Sequence, residues 1–189
     1  MLEKLSNFTI GIAGCGGLGS NCAVSLARIG IGKLILVDFD IIVESNLNRQ
    51  YFFRDQLGLK KCNALKDNIE RITHQTSLEA IDQKLTPESI VKLFSECDII
   101  VEAFDKDDQK QMLLETVIEM MPDKYVVSGS GLAGWGNNNT LKTVQFGHIF
   151  ICGDFETGVC DERPPLAPRV CTVANMQANQ VVEIIMNLL

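Results

Sequence analysis

No two of the seven cysteines stand as a Cys-x-x-Cys pair, and an odd count leaves one without a mate. A disulfide framework is therefore not expected in a cytosolic chain of this size. Cys15 and Cys22 flank a glycine-rich turn, Cys62 and Cys97 sit in apolar-patterned segments, and these read as small buried hydrophobes. No apolar run reaches membrane-spanning length. The opening Met-Leu-Glu-Lys-Leu-Ser lacks the basic end and apolar stretch of a signal peptide. The expectation is a cytoplasmic protein that binds no membrane. Only two histidines occur, net charge is −7, and no basic patch interleaved with aromatics appears. Sequence-specific nucleic-acid binding is thereby disfavoured. There is no internal repeat and no low-complexity tail. With 189 residues, 46% hydrophobic and 22% charged, the chain reads as one domain over residues 1–189.

What is present begins at Phe8. An apolar strand, Phe8–Ala13, runs straight into Gly14-Cys-Gly-Gly-Leu-Gly19 and then into a helical pattern to Ile29. Glycines at Gly14, Gly16, Gly17 and Gly19 permit a tight turn and bring backbone N–H groups close to a phosphate. The helix that opens there turns its positive dipole end toward an anion. A second apolar strand, Lys33–Val37, ends in Asp38, near the spacing at which a carboxylate holds a ribose hydroxyl. This is a nucleotide-binding βαβ unit. The motif alone does not name the nucleotide.

Further strands are predicted at Ser77–Ile81, Asp98–Ala103 and Tyr125–Ser128. Helices are predicted at Lys60–Ile72, Glu88–Phe94, Asp108–Met121 and Arg169–Asn187. Thr86-Pro87-Glu88 reads as a helix start, with Thr86 as cap. Alternating strands and helices imply a Rossmann-like α/β fold, a mostly parallel sheet with helices on both faces. After residue 128 the pattern changes. A turn-rich loop leads to two short strands, Thr140–Phe146 and Ile149–Cys152, expected as an antiparallel pair at one sheet edge. Residues 153–168 hold three prolines and two glycines and read as a loop.

The stretch Asp38-Phe-Asp-Ile-Ile-Val-Glu-Ser-Asn-Leu-Asn-Arg-Gln50 argues against a nicotinamide dehydrogenase. A second acid, Asp40, two asparagines and Arg49 crowd the carboxyl end of the strand, where open α/β sheets bind ligands. Arg49 and Lys61 suit a polyphosphate, which needs more cations than a pyrophosphate already linked to a nicotinamide ribose.

These two segments together resemble the adenylating family of ThiF, MoeB and the ubiquitin-activating enzymes, and are most similar to its short ThiF-like members. Gly58-Leu-Lys-Lys61 resembles the family's Gly-x-x-Lys segment, and Glu102-Ala-Phe-Asp105 its catalytic aspartate. Leu166-Ala-Pro-Arg-Val170 extends the resemblance into the last helix. The resemblance implies ATP-dependent adenylation of the C-terminal glycine carboxylate of a small ubiquitin-like sulfur carrier ending in Gly-Gly, ThiS in thiamine synthesis. Carried over by position, Asp38 holds the ribose, Asn46 and Arg49 contact phosphates, Lys61 binds the triphosphate and Asp105 coordinates magnesium. The family also implies a homodimer, for which Leu132–Phe146 is the candidate contact. Three departures stand out. Lys106-Asp-Asp-Gln-Lys110 replaces the family's Asn and later Arg. The two Cys-x-x-Cys pairs that hold zinc in many relatives are missing, so no structural zinc is expected. No arginine precedes the first strand, where relatives present one to the partner's nucleotide. Cys160, in the 153–168 loop, reads as a plain exposed cysteine. The competing readings are a non-catalytic scaffold that binds nucleotide or carrier, and a relative that activates another carboxylate.

Overall fold

Seven strands form one sheet in the computed structural model, which describes residues 2–189. The spatial order is β3-β2-β1-β4-β5-β7-β6. Strands β1 (Thr9–Ala13), β2 (Lys33–Val37), β3 (Ser77–Ile81), β4 (Ile99–Glu102) and β5 (Tyr125–Ser130) are parallel neighbours. Strand β7 (Ile149–Gly153) continues the parallel set beside β5, and β6 (Lys142–Phe146) closes the edge antiparallel to β7. The mostly parallel α/β sheet with an antiparallel edge pair is as the sequence predicted. The placement of β7 between β5 and β6 was not read from sequence.

Side-chain alternation along the central strands divides the core in two. Ile10, Ile12, Leu34, Leu36, Ile99 and Val101 face α2 (Gly17–Arg28), α3 (Lys61–Glu70) and α6 (Ala167–Leu188). Ala13, Ile35, Val37, Ile100 and Val126 face α4 (Pro87–Phe94) and α5 (Asp107–Met120). Strand β4 is buried along its whole length, which is why it reads as an unbroken apolar run up to Glu102. Helix α6 packs most extensively on α2, through Val170, Val173, Ala174 and Val181.

Element ends differ from expectation by one or two residues, as fraying ends do. Helix α4 starts as read: Thr86 Oγ1 accepts from Ser89 N at 3.3 Å, with Pro87 in the first turn. A one-turn helix, α1 (Leu2–Leu5), precedes β1 and buries Leu5. The segment after β2 folds into two 3-10 turns, Glu44–Asn46 and Arg54–Gln56. No helix among the described residues is long and apolar enough to cross a membrane.

Candidate functional site

Strand order reverses between the parallel neighbours β1 and β4, and the crevice beyond their carboxyl ends is the topological switch point of the sheet. A cleft of about 670 Å³ opens there. It gathers Gly14, Gly16, Gly17, Asp38, Asp40, Arg49, Lys61 and Asp105 from the three connections that follow β1, β2 and β4. Those eight are sequence-predicted site residues, drawn together from positions up to 91 apart.

The glycine turn is dictated by two contacts. Gly14 has φ +97, and a Cβ there lies 2.9 Å from the Ala103 carbonyl oxygen. A Cβ on Gly19 falls 1.8 Å from the Gly14 carbonyl oxygen, so only glycine lets α2 start this close to β1. Gly19 thus packs helix on turn and does not line the cleft. No side chain caps α2 and its first turn carries no acid. Its orphan N–H groups and positive dipole end therefore face the cleft at Gly16, Gly17 and Leu18.

Asp38 is buried at the end of β2. Its Oδ2 accepts from Cys15 N at 2.7 Å and its Oδ1 from Asp40 N at 2.8 Å. Burial pushes its carboxyl above the usual range, opposed by those two N–H groups and by Lys61. A carboxylate has about four lone-pair sites, so two remain for hydroxyl donors of a ligand. Burial and the Asp38 charge push the Cys15 thiol well up, which leaves it inert.

Two lysines compete for the phosphate role in sequence, and the helix phase separates them. Lys61 opens α3 and points into the cleft, where its Nζ pairs with Asp40 Oδ2 at 2.8 Å. Lys60, one residue earlier, donates to the Phe39 carbonyl at 2.9 Å and pairs with Asp82 at 3.0 Å. Arg49 is half-buried. Its Nη1 donates to Ser45 O at 3.0 Å and to Asn48 Oδ1 at 2.7 Å. Burial lowers its pKa, and the nearby charge of Asp105 opposes that, which marks the two as facing groups.

Asn46 stands apart from the expected phosphate contacts. It is buried, and its Oδ1 accepts from Val43 N at 3.1 Å, closing the 3-10 turn that positions Arg49. A short amide next to a free backbone donor satisfies it locally. It is not part of the cleft wall.

Asp105 is exposed on the cleft wall and makes no side-chain hydrogen bond among the described residues. The loop that carries it is anchored by Glu102, which is wholly buried. Glu102 Oε1 accepts from Phe104 N at 2.8 Å, and its Oε2 accepts from Lys110 Nζ at 2.6 Å and from the Ser128 hydroxyl. Lys110 also donates to Gly129 O at 2.9 Å. Lys110, the last residue of the segment that departs from the family pattern, is thus turned inward, onto a buried acid.

Sequence reasoning missed several wall residues. Gln50 lines the cleft with its Oε1 buried and unpartnered. Phe39 and Leu85 give one side an apolar face, and Lys84 Nζ lies 6.0 Å from the Phe39 ring centre. Leucine and phenylalanine carry no chemical signature, so nothing local marked them. Of the cysteines, Cys160 is exposed, Cys171 is half-buried and the other five are buried. Among the described residues no group of three or more His, Cys, Asp or Glu is placed to hold a metal ion.

Beyond the cleft, Arg169 in the first turn of α6 pairs with buried Asp154 after β7. Burial alone raises the Asp154 carboxyl, but Thr157, the Glu156 N–H and Arg169 more than offset it and bring it down to about 2. A folded pKa below the unfolded value of about 3.9 stabilises the protein above pH 4, and that stability is lost as pH falls toward 2. The expected loss through this group is roughly 2 kcal/mol. Urea titrations at pH 5, 3.5 and 2.5 check it: Asp154→Asn is expected to show a shallower acid loss than the parent. Parallel curves for the two would contradict the assignment.

Against known proteins, the ThiF family matches residues 1–188. The chain is similar to the adenylyltransferase and sulfurtransferase MOCS3 of Dictyostelium discoideum, 30% identical over 191 residues, 97% of this chain and 44% of the relative. It is also similar to the adenylyltransferase and sulfurtransferase UBA4 of Candida glabrata, 26% identical over 190 residues, 97% of this chain and 43% of the relative. The chain therefore spans less than half the length of these curated relatives. Among solved structures, E. coli tRNA N6-threonylcarbamoyladenosine dehydratase, TcdA, in complex with ATP superposes with a TM-score of 0.88 at 21% identity, covering 98% of this chain and 88% of that one. E. coli MccB with ATP gives 0.73 at 24% identity, covering 97% and 57%. Those two likenesses establish the shared fold. With the family match running the length of the sheet and the glycine turn, Asp38 and Asp105 converging on its switch point, the chain belongs to the ThiF family.

Proposed function

We propose that this domain is an adenylyltransferase that joins ATP to the C-terminal glycine carboxylate of a small ubiquitin-like carrier protein ending in Gly-Gly. The observation that carries the reading is the convergence of Asp38, Arg49, Lys61 and Asp105 on one cleft beside an uncapped helix N-terminus. Two curated relatives that bear the name adenylyltransferase support it. A ThiS-like carrier and thiamine synthesis are the finer form of the proposal, supported by the resemblance of the sequence motifs to those of short ThiF-like proteins. The protein acts as a homodimer in this reading, through the exposed edge at β6 and the loop before it.

In the reaction, a carboxylate oxygen attacks the α-phosphorus, the bond from that phosphorus to the bridging oxygen breaks, and pyrophosphate leaves with the electron pair. The residues present serve as positioners and charge partners. Asp38 accepts from the ribose hydroxyls with its unused lone pairs. The N–H groups that open α2 meet the phosphates. Arg49 and Lys61 neutralise the triphosphate, and Lys61 exchanges its bond to Asp40 for one to the incoming oxygens. Phe39 and Leu85 offer apolar surface to the base. The exposed, unpartnered carboxylate of Asp105 is of the hard oxygen type that magnesium takes and would be the residue that holds the ion. When bound there, magnesium supplies charge neutralisation at the reacting phosphates.

ATP–pyrophosphate exchange in the presence of diglycine-ended carriers tests the reading. Exchange is expected only when such a carrier is supplied. Nucleotide choice is tested separately. At a hundredfold excess over Kd a ligand of the native state adds about 2.7 kcal/mol, which for a chain of this size is roughly 5–10 °C in melting temperature. Magnesium ATP is expected to give such a shift and NAD much less. A larger shift with NAD would remove the adenylation reading. A carboxylate on RNA is disfavoured as substrate by the net charge of −7.

A further inference from the structure

A second cavity, of about 240 Å³, lies beside the nucleotide cleft and is separate from it. Its wall holds Arg163, Arg169, Thr157, Asn137 and Trp135, and no carboxylate lines it. Thr157 is the one residue that also lines the cleft. In a chain of net charge −7, a cavity walled by two arginines and no acid is an electrostatic exception.

The two guanidinium groups are in different states. Arg169 is 5% exposed. One of its nitrogens donates to the Gly136 carbonyl and another to Asp154, which neutralises its charge. Its Nε–H is buried and has no partner. A buried donor without an acceptor is rare in folded proteins and asks for a cause. Arg163 is exposed and takes part in no ion pair among the described residues, so its charge is uncompensated. Its backbone is nonetheless fixed, since Arg163 N donates to Cys160 O at 3.0 Å and Cys160 N to Arg163 O at 3.3 Å. A free guanidinium held at the mouth, a buried guanidinium with a spare donor beyond its Asp154 pair and a wall without a carboxylate form a surrounding that favours a small anion with planar or tetrahedral oxygens.

We propose that this cavity is an oxyanion site, distinct from the nucleotide cleft, that takes a carboxylate or a phosphate group. The anion pairs with the Arg163 guanidinium and supplies an acceptor on the Arg169 side, while the Asp154 pair keeps Arg169 in place.

Trp135 makes the site directly readable. It is the single tryptophan of the chain, 70% exposed and on the cavity wall. Its emission is recorded while the full chain is titrated with inorganic phosphate, with N-acetylglutamate amide and with acetamide, at ionic strength held constant with chloride. A saturable change is expected with at least one of the two anions, and none with acetamide. The apparent Kd is expected to weaken at least fivefold in Arg163→Gln, whose exposed side chain leaves the fold intact, and to stay unchanged in Lys61→Gln, which alters only the cleft. Tighter binding of phosphate identifies a free phosphate group as the source. Tighter binding of the glutamate side chain identifies a protein carboxylate. No saturable change with either anion overturns the proposal, as does an equal response in Arg163→Gln, or a response abolished by Lys61→Gln.

Discussion

Asp105→Ala is expected to lower carrier-dependent pyrophosphate exchange by roughly two decades or more, while the melting temperature moves by only a few degrees. The two halves of that expectation have different origins. The side chain is exposed and makes no hydrogen bond among the described residues, so its removal deletes no folding contact. Surface changes of that kind stay within about 0.5 kcal/mol, or about 2 °C in a chain of this length. The rate, by contrast, depends on charge placed where the α-phosphate reacts. Losing one such contact costs several kcal/mol of transition-state stabilisation, and each 1.36 kcal/mol is about tenfold. Asp123→Ala, in the turn before β5 at the other end of the sheet, is the control and is expected to keep parental exchange. Near-normal exchange in Asp105→Ala with loss in Asp107→Ala would move the catalytic assignment two residues along the chain. Absence of exchange in the parent with every diglycine-ended carrier would favour the scaffold reading.

The parts of this fold that sequence reveals are those with a local physical signature. Phe8–Ala13, the glycine turn and Lys33–Val37 are legible because apolar runs, tight turns and helical periods each leave a mark within a dozen residues. Asp38 is legible for the same reason, since its distance from the turn is set by one strand and one helix. Lys60 and Lys61 are not separable by type. Their difference lies in where α3 begins, a boundary that a one-residue shift inverts. Asn46 is equally hard to place from sequence. The family resemblance places it at the phosphates, whereas in the structure its side-chain oxygen accepts from Val43 N, a local use that no sequence pattern announces.

Non-local pairings left no trace at all. That β5 neighbours β7 and not β6 depends on a connection that passes over the sheet edge, and neither strand encodes it. The Arg169–Asp154 pair spans 15 residues and the Glu102–Lys110 pair eight, across element ends whose geometry is fixed only by the finished sheet. Helix α1 is a single turn, too short to show a period. The wall residues Phe39, Leu85 and Gln50 are ordinary until the fold brings them to the switch point.

The largest expected effect on stability belongs to Lys110. Glu102 has no exposed surface, and Lys110 Nζ at 2.6 Å is its one cationic partner among the described residues. Lys110→Ala leaves that carboxylate buried with only the Phe104 N–H and the Ser128 hydroxyl. Removing one member of a buried ion pair costs about 3–5 kcal/mol, because the remaining charge cannot return to water. At about 2–4 °C per kcal/mol, the melting temperature is expected to fall by roughly 10 °C. The exposed pair Lys33–Glu79, at 2.7 Å, is the comparison: Lys33→Ala removes an ion pair of similar length but is expected to cost at most about 1 kcal/mol, since water screens it. The double variant Glu102→Gln with Lys110→Met removes both charges and keeps an acceptor for the Phe104 N–H. It is expected to recover most of the lost stability, a strong coupling between the two positions. If Lys110→Ala cost no more than Lys33→Ala, or if the double variant were as unstable as the sum of its parts, the Glu102–Lys110 contact would not be what holds the Asp105 loop in place.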